Sequence, residues 1–209
     1  MARGGGVTEN LVLVDGDDRP VGYAEKRLCH ASRGMLHRAF TALLFDDAGR
    51  LLLTRRSPDK MLWPGKWDGT VASHPRDGET FVSAAERRLP EELGVSCTLE
   101  YLFKFEYHVS DGHRGSENEV CGTLIGTITS APDPDPAEIV QTKFVSPHQM
   151  NVADSMEYCP WMLLALALLP RAHMSGSYHI SEWTSSRTSD TMLQMTGRHM
   201  SDDDWRLVP

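Results

Sequence analysis

The chain has 209 residues, 40% of them hydrophobic, which suits one globular domain with a real core. Its formal net charge of -8 excludes a general nucleic-acid binder, which would carry a basic surface. Four cysteines (Cys29, Cys97, Cys121, Cys159) form no CxxC pair and suit a reduced, cytoplasmic protein better than a disulfide framework.

In chain order, residues 1–8 read as a flexible lead without the apolar core of a signal peptide. Leu11–Val14 and Val21–Lys26 read as strands around the turn Asp15-Gly16-Asp17-Asp18. Arg38–Phe45 and Leu51–Thr54 form a second strand pair joined by Asp46-Asp47-Ala48-Gly49. Residues 57–78, rich in Pro, Gly and Trp and without a period, are expected to be a long ordered loop. Glu79–Leu93 has a helical pattern ending at Gly94, with Pro90 expected to kink its last turns. Strands are predicted at Thr98–Val109, Glu119–Thr129 and Ile139–Val145, a short helix after Pro147 and a longer one over Trp161–Leu169.

That last run is the longest apolar one, and its nine residues fall short of the roughly 20 a membrane span needs. Residues 9–173 are taken as the domain. Residues 174–209, rich in Ser, Thr, Met, Asp and His, are expected to be disordered or loosely packed. Strands around an acid-bearing helix indicate an α+β sandwich with a mixed sheet.

Two constellations carry chemistry. Glu79, Arg87, Glu91, Glu92, Gly94 and Val95 have the spacing of the Nudix box, with Ser73 at the place of its first glycine and Arg88 where a glutamate is usual. Paired carboxylates on a helix can hold Mg²⁺ against phosphate oxygens; an acidic surface helix is the bland alternative. His30, His37, His74, Glu117 and Glu119 could together ligate Zn²⁺, Mn²⁺ or Mg²⁺, although sequence distance alone does not bring them together.

These residues sit within a longer series of motifs: Lys26-x-x-x-His30, His37, Thr54-Arg55-Arg56, Lys60, Trp63-Pro64-Gly65-x-Trp67, Ser73-His74-Pro75, Arg87-Arg88-Leu89, Glu92-Leu93-Gly94, Glu117-Asn118-Glu119-Val120-Cys121 and Pro160-Trp161-Met162. In this order they resemble the type I isopentenyl-diphosphate isomerases, a branch of the Nudix superfamily, over about Leu11 to Leu169. The resemblance implies a Nudix-type α/β/α sandwich and a small-molecule prenyl diphosphate substrate. It implies a divalent metal (Mn²⁺, Zn²⁺ or Mg²⁺) on His30, His37, His74, Glu117 and Glu119, and a second, diphosphate-bound Mg²⁺ near Glu92. Lys26, Arg56, Lys60 and Arg88 match groups that clamp the diphosphate, and Ser73 joins them in the substrate site. Glu119 assisted by Tyr107 matches the acid that protonates the alkene. Trp161 matches the indole that steadies the tertiary cation. Tyr107 and Trp161 as plain core aromatics, and the basic residues as a solvated face, are the alternatives.

One position departs. The family places a cysteine thiol opposite the glutamate to remove the second proton, and this chain has Ala72 there, which cannot act as a base. Asp68-Gly69 also replaces the usual Thr-Asn pair. An engineered alanine, an isomerase working without the thiol, and acid-initiated cyclisation or rearrangement of a longer prenyl diphosphate are the competing accounts. Nudix hydrolysis of a diphosphate through Glu91 and Glu92 is a further one. Isomerisation of isopentenyl to dimethylallyl diphosphate is the preferred expectation.

Overall fold

Asp15 starts the first hairpin by accepting the backbone N–H of Asp17 (3.0 Å) and Arg19 (2.9 Å) on one carboxylate oxygen. Strands β1 (Asn10–Val14) and β2 (Pro20–Glu25) flank that turn as an antiparallel pair. The computed structural model describes residues 9–172, 176 and 178–209; the expected flexible lead at 1–8 lies outside them.

A short helix, α1 (Lys26–Cys29), leads to β3 (His37–Phe45), the strand on which the sheet is assembled. It pairs in parallel with β8 (Ser116–Thr127) and antiparallel with β1, β4 (Leu51–Arg56) and β6 (Val71–Ser73). β4 carries β5 (Trp67–Asp68) and β9 (Ile139–Val145), and β8 carries β7 (Leu99–Ser110). The sheet is mixed, as expected. The stretch 57–78 differs from a pure loop because β5 and β6 lie inside it; strands of two and three residues are too short to show a period.

Side-chain alternation on β3 divides the core. Phe40, Ala42 and Leu44 face α2 (Phe81–Leu93) through Ala84, Ala85, Leu89 and Leu93. Leu43 and Phe45 face α3 (Pro160–Leu168) and α4 (Ser186–Thr196) through Met162, Leu166 and Met192. This is an α/β/α sandwich. α2 starts with a reciprocal cap in which Thr80 accepts the Ser83 N–H (3.1 Å) and Thr80 N–H donates to Ser83 Oγ (2.9 Å). It continues through Pro90 to Leu93 and stops at Gly94, whose φ of 64° is the left-handed cap that the sequence signals. Among the described residues no helix is long and apolar enough to cross a membrane.

The C-terminal segment corrects the sequence expectation. Residues 178–209 are packed on the domain and are not a loose tail. Trp183 is fully buried and its Nε1–H donates to Gly49 O (2.9 Å), while Ile180, Met192 and Met195 join the same core. Gly49 suits this contact twice, with a φ of +74° and no Cβ to collide with the His179 carbonyl. Strand β10 (Trp205–Val208) then pairs with β7. Low apolar density hid this: a few large side chains, widely spaced among Ser, Thr and Asp, do the packing.

Trp183→Ala is therefore expected to destabilise the protein by about 3–5 kcal/mol. Urea unfolding measures it, and a change below about 1 kcal/mol, the size of a surface substitution, would contradict the packing described.

Candidate active site

Sheet register builds the centre of the site. Glu117 and Glu119 are two residues apart on β8 and so share a face. Parallel pairing sets His37 of β3 opposite Glu119, and antiparallel pairing sets Tyr107 of β7 opposite it from the other side. His37, Glu119 and Tyr107 thus form a row across three neighbouring strands. His30 closes α1 and His74 follows β6, which brings two further imidazoles over the same row.

The three histidine rings lie 4.8, 5.3 and 5.1 Å apart by centroid. One ligand atom from each of His30, His37, His74 and Glu119 falls within 4.8 Å of the others, all four residues being buried. Two carbonyls orient the rings: His30 Nδ1 is 2.6 Å from Lys26 O and His37 Nδ1 is 2.8 Å from Met35 O. A carbonyl can only accept, so each Nδ1 carries a proton and each Nε2 faces inward, where it offers a lone pair whenever the ring is neutral. His30 Nε2 approaches Glu117 Oε2 at 3.0 Å, and His37 and His74 Nε2 each approach Glu119 Oε1 at 3.3 Å.

His37 Nε2, both nitrogens of His74 and Glu117 Oε2 are buried without a well-formed hydrogen bond among the described residues. Native interiors rarely leave so many polar atoms orphaned in one place. Converging imidazole and carboxylate donors of this kind fit a divalent cation.

Burial pulls the His30 imidazole down, but the Glu117 carboxylate beside it wins and pushes it up to about 8. His74 goes the other way, held well below its ordinary value by burial and by the charges of Lys26, His37 and His30. Burial raises the Glu119 carboxyl, yet His37 and the Tyr107 hydroxyl hold it below the usual carboxylate range. Tyr107 donates to Glu119 Oε2 at 2.6 Å, and burial together with that carboxylate keeps its phenol well above its ordinary value and so protonated.

A cavity of about 160 Å³ opens beside the row. Its lining brings together nearly every residue singled out in the sequence: Lys26, Arg56, Lys60, Ser73 and Arg88, with His30, His74, Glu92, Glu117, Glu119, Tyr107, Ala72 and Trp161. His37 completes the histidine cluster from behind this lining. Each cation already has a carboxylate. Lys26 pairs with Glu9 (2.8 Å), Lys60 with Glu138, Arg56 with Asp68 (2.9 Å), and Arg88 with Glu92 (2.6 Å) and Glu91 (2.6 Å). Burial pushes the Glu92 carboxyl up against the pull of Arg88. Glu79 and Arg87 stand apart from the cavity lining; their pair (2.7 Å) braces the helix start, and Arg87 reaches the His74 carbonyl (3.4 Å).

Ala72 lies opposite Thr41 and Ser73 opposite Phe40 on β3, so the two face opposite sides of the sheet. The Ser73 hydroxyl therefore does not stand in for a thiol at position 72. Two threonines pin this stretch: Thr54 donates to Gly69 O (2.8 Å) and Thr70 donates to Leu52 O (2.8 Å) while accepting Leu44 N–H (2.9 Å).

Sequence reasoning missed Glu138, Glu9 and Cys121 as cavity residues and gave Asp68 no role. Glu138 arrives because the Asp133–Pro136 turn folds back onto the end of α2, with Asp133 N–H donating to Leu93 O (2.8 Å) and Asp135 N–H to Glu92 O (2.9 Å). Its only signal was an acid directly before a strand. For Glu9 there was none. Cys121 stood in plain view inside the Glu117–Cys121 motif; burial pushes its thiol well above the ordinary value, away from a thiolate.

A NUDIX domain matches residues 35–165. Isopentenyl-diphosphate Delta-isomerase of Haloarcula marismortui is 40% identical over 169 residues, covering 76% of this chain and 89% of that protein. The protein of the same name from Halorhodospira halophila is 41% identical over 159 residues, covering 73% and 90%. The crystal structure of DR0079 from Deinococcus radiodurans shares the fold with a TM-score of 0.60 and 22% identity, over 75% of this chain and 97% of that one. With a NUDIX domain over most of its length and such identity across nearly the whole of those relatives, the chain belongs to the isopentenyl-diphosphate Delta-isomerase family.

Proposed function

We propose that the protein isomerises isopentenyl diphosphate to dimethylallyl diphosphate by protonating the alkene from Glu119. The observation that carries this reading is the buried Tyr107–Glu119–His37 row, which borders a small cavity lined by Trp161 and four cationic side chains. The names of the relatives support it, as does the volume. About 160 Å³ is below the ~300–1,000 Å³ of common ligand pockets, which favours a five-carbon chain over the longer prenyl group a cyclisation would need. Hydrolysis through Glu91 and Glu92 is disfavoured because Arg88 stands where the Nudix box usually has a further metal-binding glutamate.

Lys26, Arg56, Lys60, Arg88 and Ser73 receive the diphosphate. The anion competes with Glu9, Glu138 and Glu92 for these cations, and charge-assisted contacts make the exchange favourable. Its negative charge also raises the Glu119 carboxyl toward its protonated form, so the acid is loaded when substrate is present. Glu119 then gives its proton to the terminal methylene carbon. The π electrons form the new C–H bond and leave a tertiary cation facing the Trp161 ring.

Ala72 offers no base on the far side, so the proton lost from C2 returns to the Glu119 carboxylate, steadied by the Tyr107 hydroxyl. Its C–H electrons become the new double bond, and Glu119 ends each turnover as it began. His30, His37, His74 and Glu119, whose ligand atoms converge, would hold a divalent metal (Mn²⁺, Zn²⁺ or Mg²⁺) with Glu117 beside them, and Glu92 would help to hold Mg²⁺ on the diphosphate. Bound there, such ions supply fixed positive charge that neutralises the carboxylates and phosphate oxygens.

Incubation with isopentenyl diphosphate and Mg²⁺ in D₂O should place deuterium in the product's methyl group. Glu119→Gln should lower turnover by roughly 10²–10⁴-fold, the usual worth of an acid–base group. Retained turnover in that variant would end the reading.

If the missing thiol limits the reaction, Ala72→Cys should raise kcat by about 10²–10⁴-fold. An unchanged kcat would instead mean that Glu119 suffices for both proton transfers.

Metal binding should depend on pH with a definite sign. His30 is protonated below about 8 and must lose that proton to bind, so affinity should fall as pH drops, by up to about tenfold per unit. Calorimetric titration with Mn²⁺ from pH 6 to pH 9 measures this, and a flat profile would contradict it.

A further inference from the structure

Asp68 is a buried carboxylate behind the cavity, where the family resemblance places a threonine. It is 3% exposed and does not itself line the cavity. Oδ1 accepts the Gly69 backbone N–H (2.8 Å) and the Nε1–H of Trp161 (2.8 Å). Oδ2 accepts Arg56 Nη1 (2.9 Å). Arg56 is fixed by two further donations, Nε to Trp63 O (3.1 Å) and Nη2 to Leu62 O (3.0 Å). Its guanidinium carbon lies 5.3 Å from the centre of the Trp161 ring.

Burying a carboxylate is costly, and a hydroxyl could have received the indole N–H without that cost. Two effects need the charge. A charge-assisted bond to Nε1–H fixes the ring more firmly than a neutral one and leaves its face more electron-rich. The second effect concerns Arg56. A guanidinium beside Trp161 would repel a cation forming against the same ring, and a carboxylate paired to it at 2.9 Å cancels most of that field. The chain lacks the thiol at position 72 and has gained a negative charge four residues earlier, behind the aromatic wall.

We propose that Asp68 is a positioning residue for the reaction: it orients the Trp161 indole toward the carbocation and neutralises Arg56 behind it. This rests on the reading that a cation forms in the cavity.

The test compares binding of two diphosphate esters of the same shape, 2-(dimethylamino)ethyl diphosphate, which is cationic at the reacting position, and neutral 3-methylbutyl diphosphate. In Asp68→Asn, the ratio of the affinities for the ammonium and the neutral ester should fall by about tenfold or more, any change in how Arg56 holds the shared diphosphate cancelling between the two. With isopentenyl diphosphate, kcat should fall by a larger factor than KM changes. In ¹H–¹⁵N spectra the Trp161 indole proton, assigned by its loss in Trp161→Phe, should shift upfield in the variant. Asp68→Thr, which restores the residue of the resemblance, serves if Asp68→Asn does not fold. Should neither fold, the wild-type spectrum decides, because an indole proton without the downfield shift of a carboxylate-bonded N–H overturns the proposal.

Unchanged ammonium preference and unchanged kcat in a folded variant would also overturn it. If wild type turns over no isopentenyl diphosphate but the ammonium preference depends on Asp68, the reaction assigned above falls and the role of Asp68 stands.

Discussion

Everything in the site depends on the parallel register between β3 and β8. That pairing sets His37 against Glu119, and the antiparallel pairing of β8 with β7 sets Tyr107 on its other flank. A shift of either strand by one residue would turn Glu117 and Glu119 to the α2 side and separate them from all three imidazoles. Register is secured by the division of the core, since even-numbered residues of β3 bury against one helix and odd-numbered ones against the other pair. The same apolar packing that stabilises the sandwich therefore aims Glu119 at the imidazoles.

Much of this was legible in the chain. Alternation and turn chemistry marked β1 to β4 within a residue or two, because Asp15 and Asp46 are turn formers whose carboxylates bond the backbone locally. Glu92, Arg88 and the histidines were legible through motif spacing, and the structure gathers them at one place. What was hidden depended on non-local folding. Glu138 reaches Lys60 and Arg88 only because a proline-rich turn folds back on α2, and no local pattern records that return. The burial of Trp183 was hidden for the opposite reason: its neighbours are polar, and its indole N–H finds the Gly49 carbonyl only across the fold.

The two departures from the family pattern lie on one short stretch and have opposite character. Position 72 has no titratable group where the resemblance places a thiol, and position 68 has a carboxylate where it places a hydroxyl. Both are held against β3 and β4 by the hydroxyls of Thr54 and Thr70, so neither can relax away from its place. A rigid stretch makes a change of side chain a change of charge in a fixed location, and the electrostatics of the cavity respond directly.

Strand β10 has a consequence beyond stability. β7 runs for twelve residues at the border of the sheet, and four of them, Lys104 to Tyr107, are covered by β10. A border strand of that length with open amide and carbonyl groups is a template on which a second molecule can add. By occupying the middle of that border, β10 interrupts the template and leaves less of it open to edge-to-edge pairing between molecules.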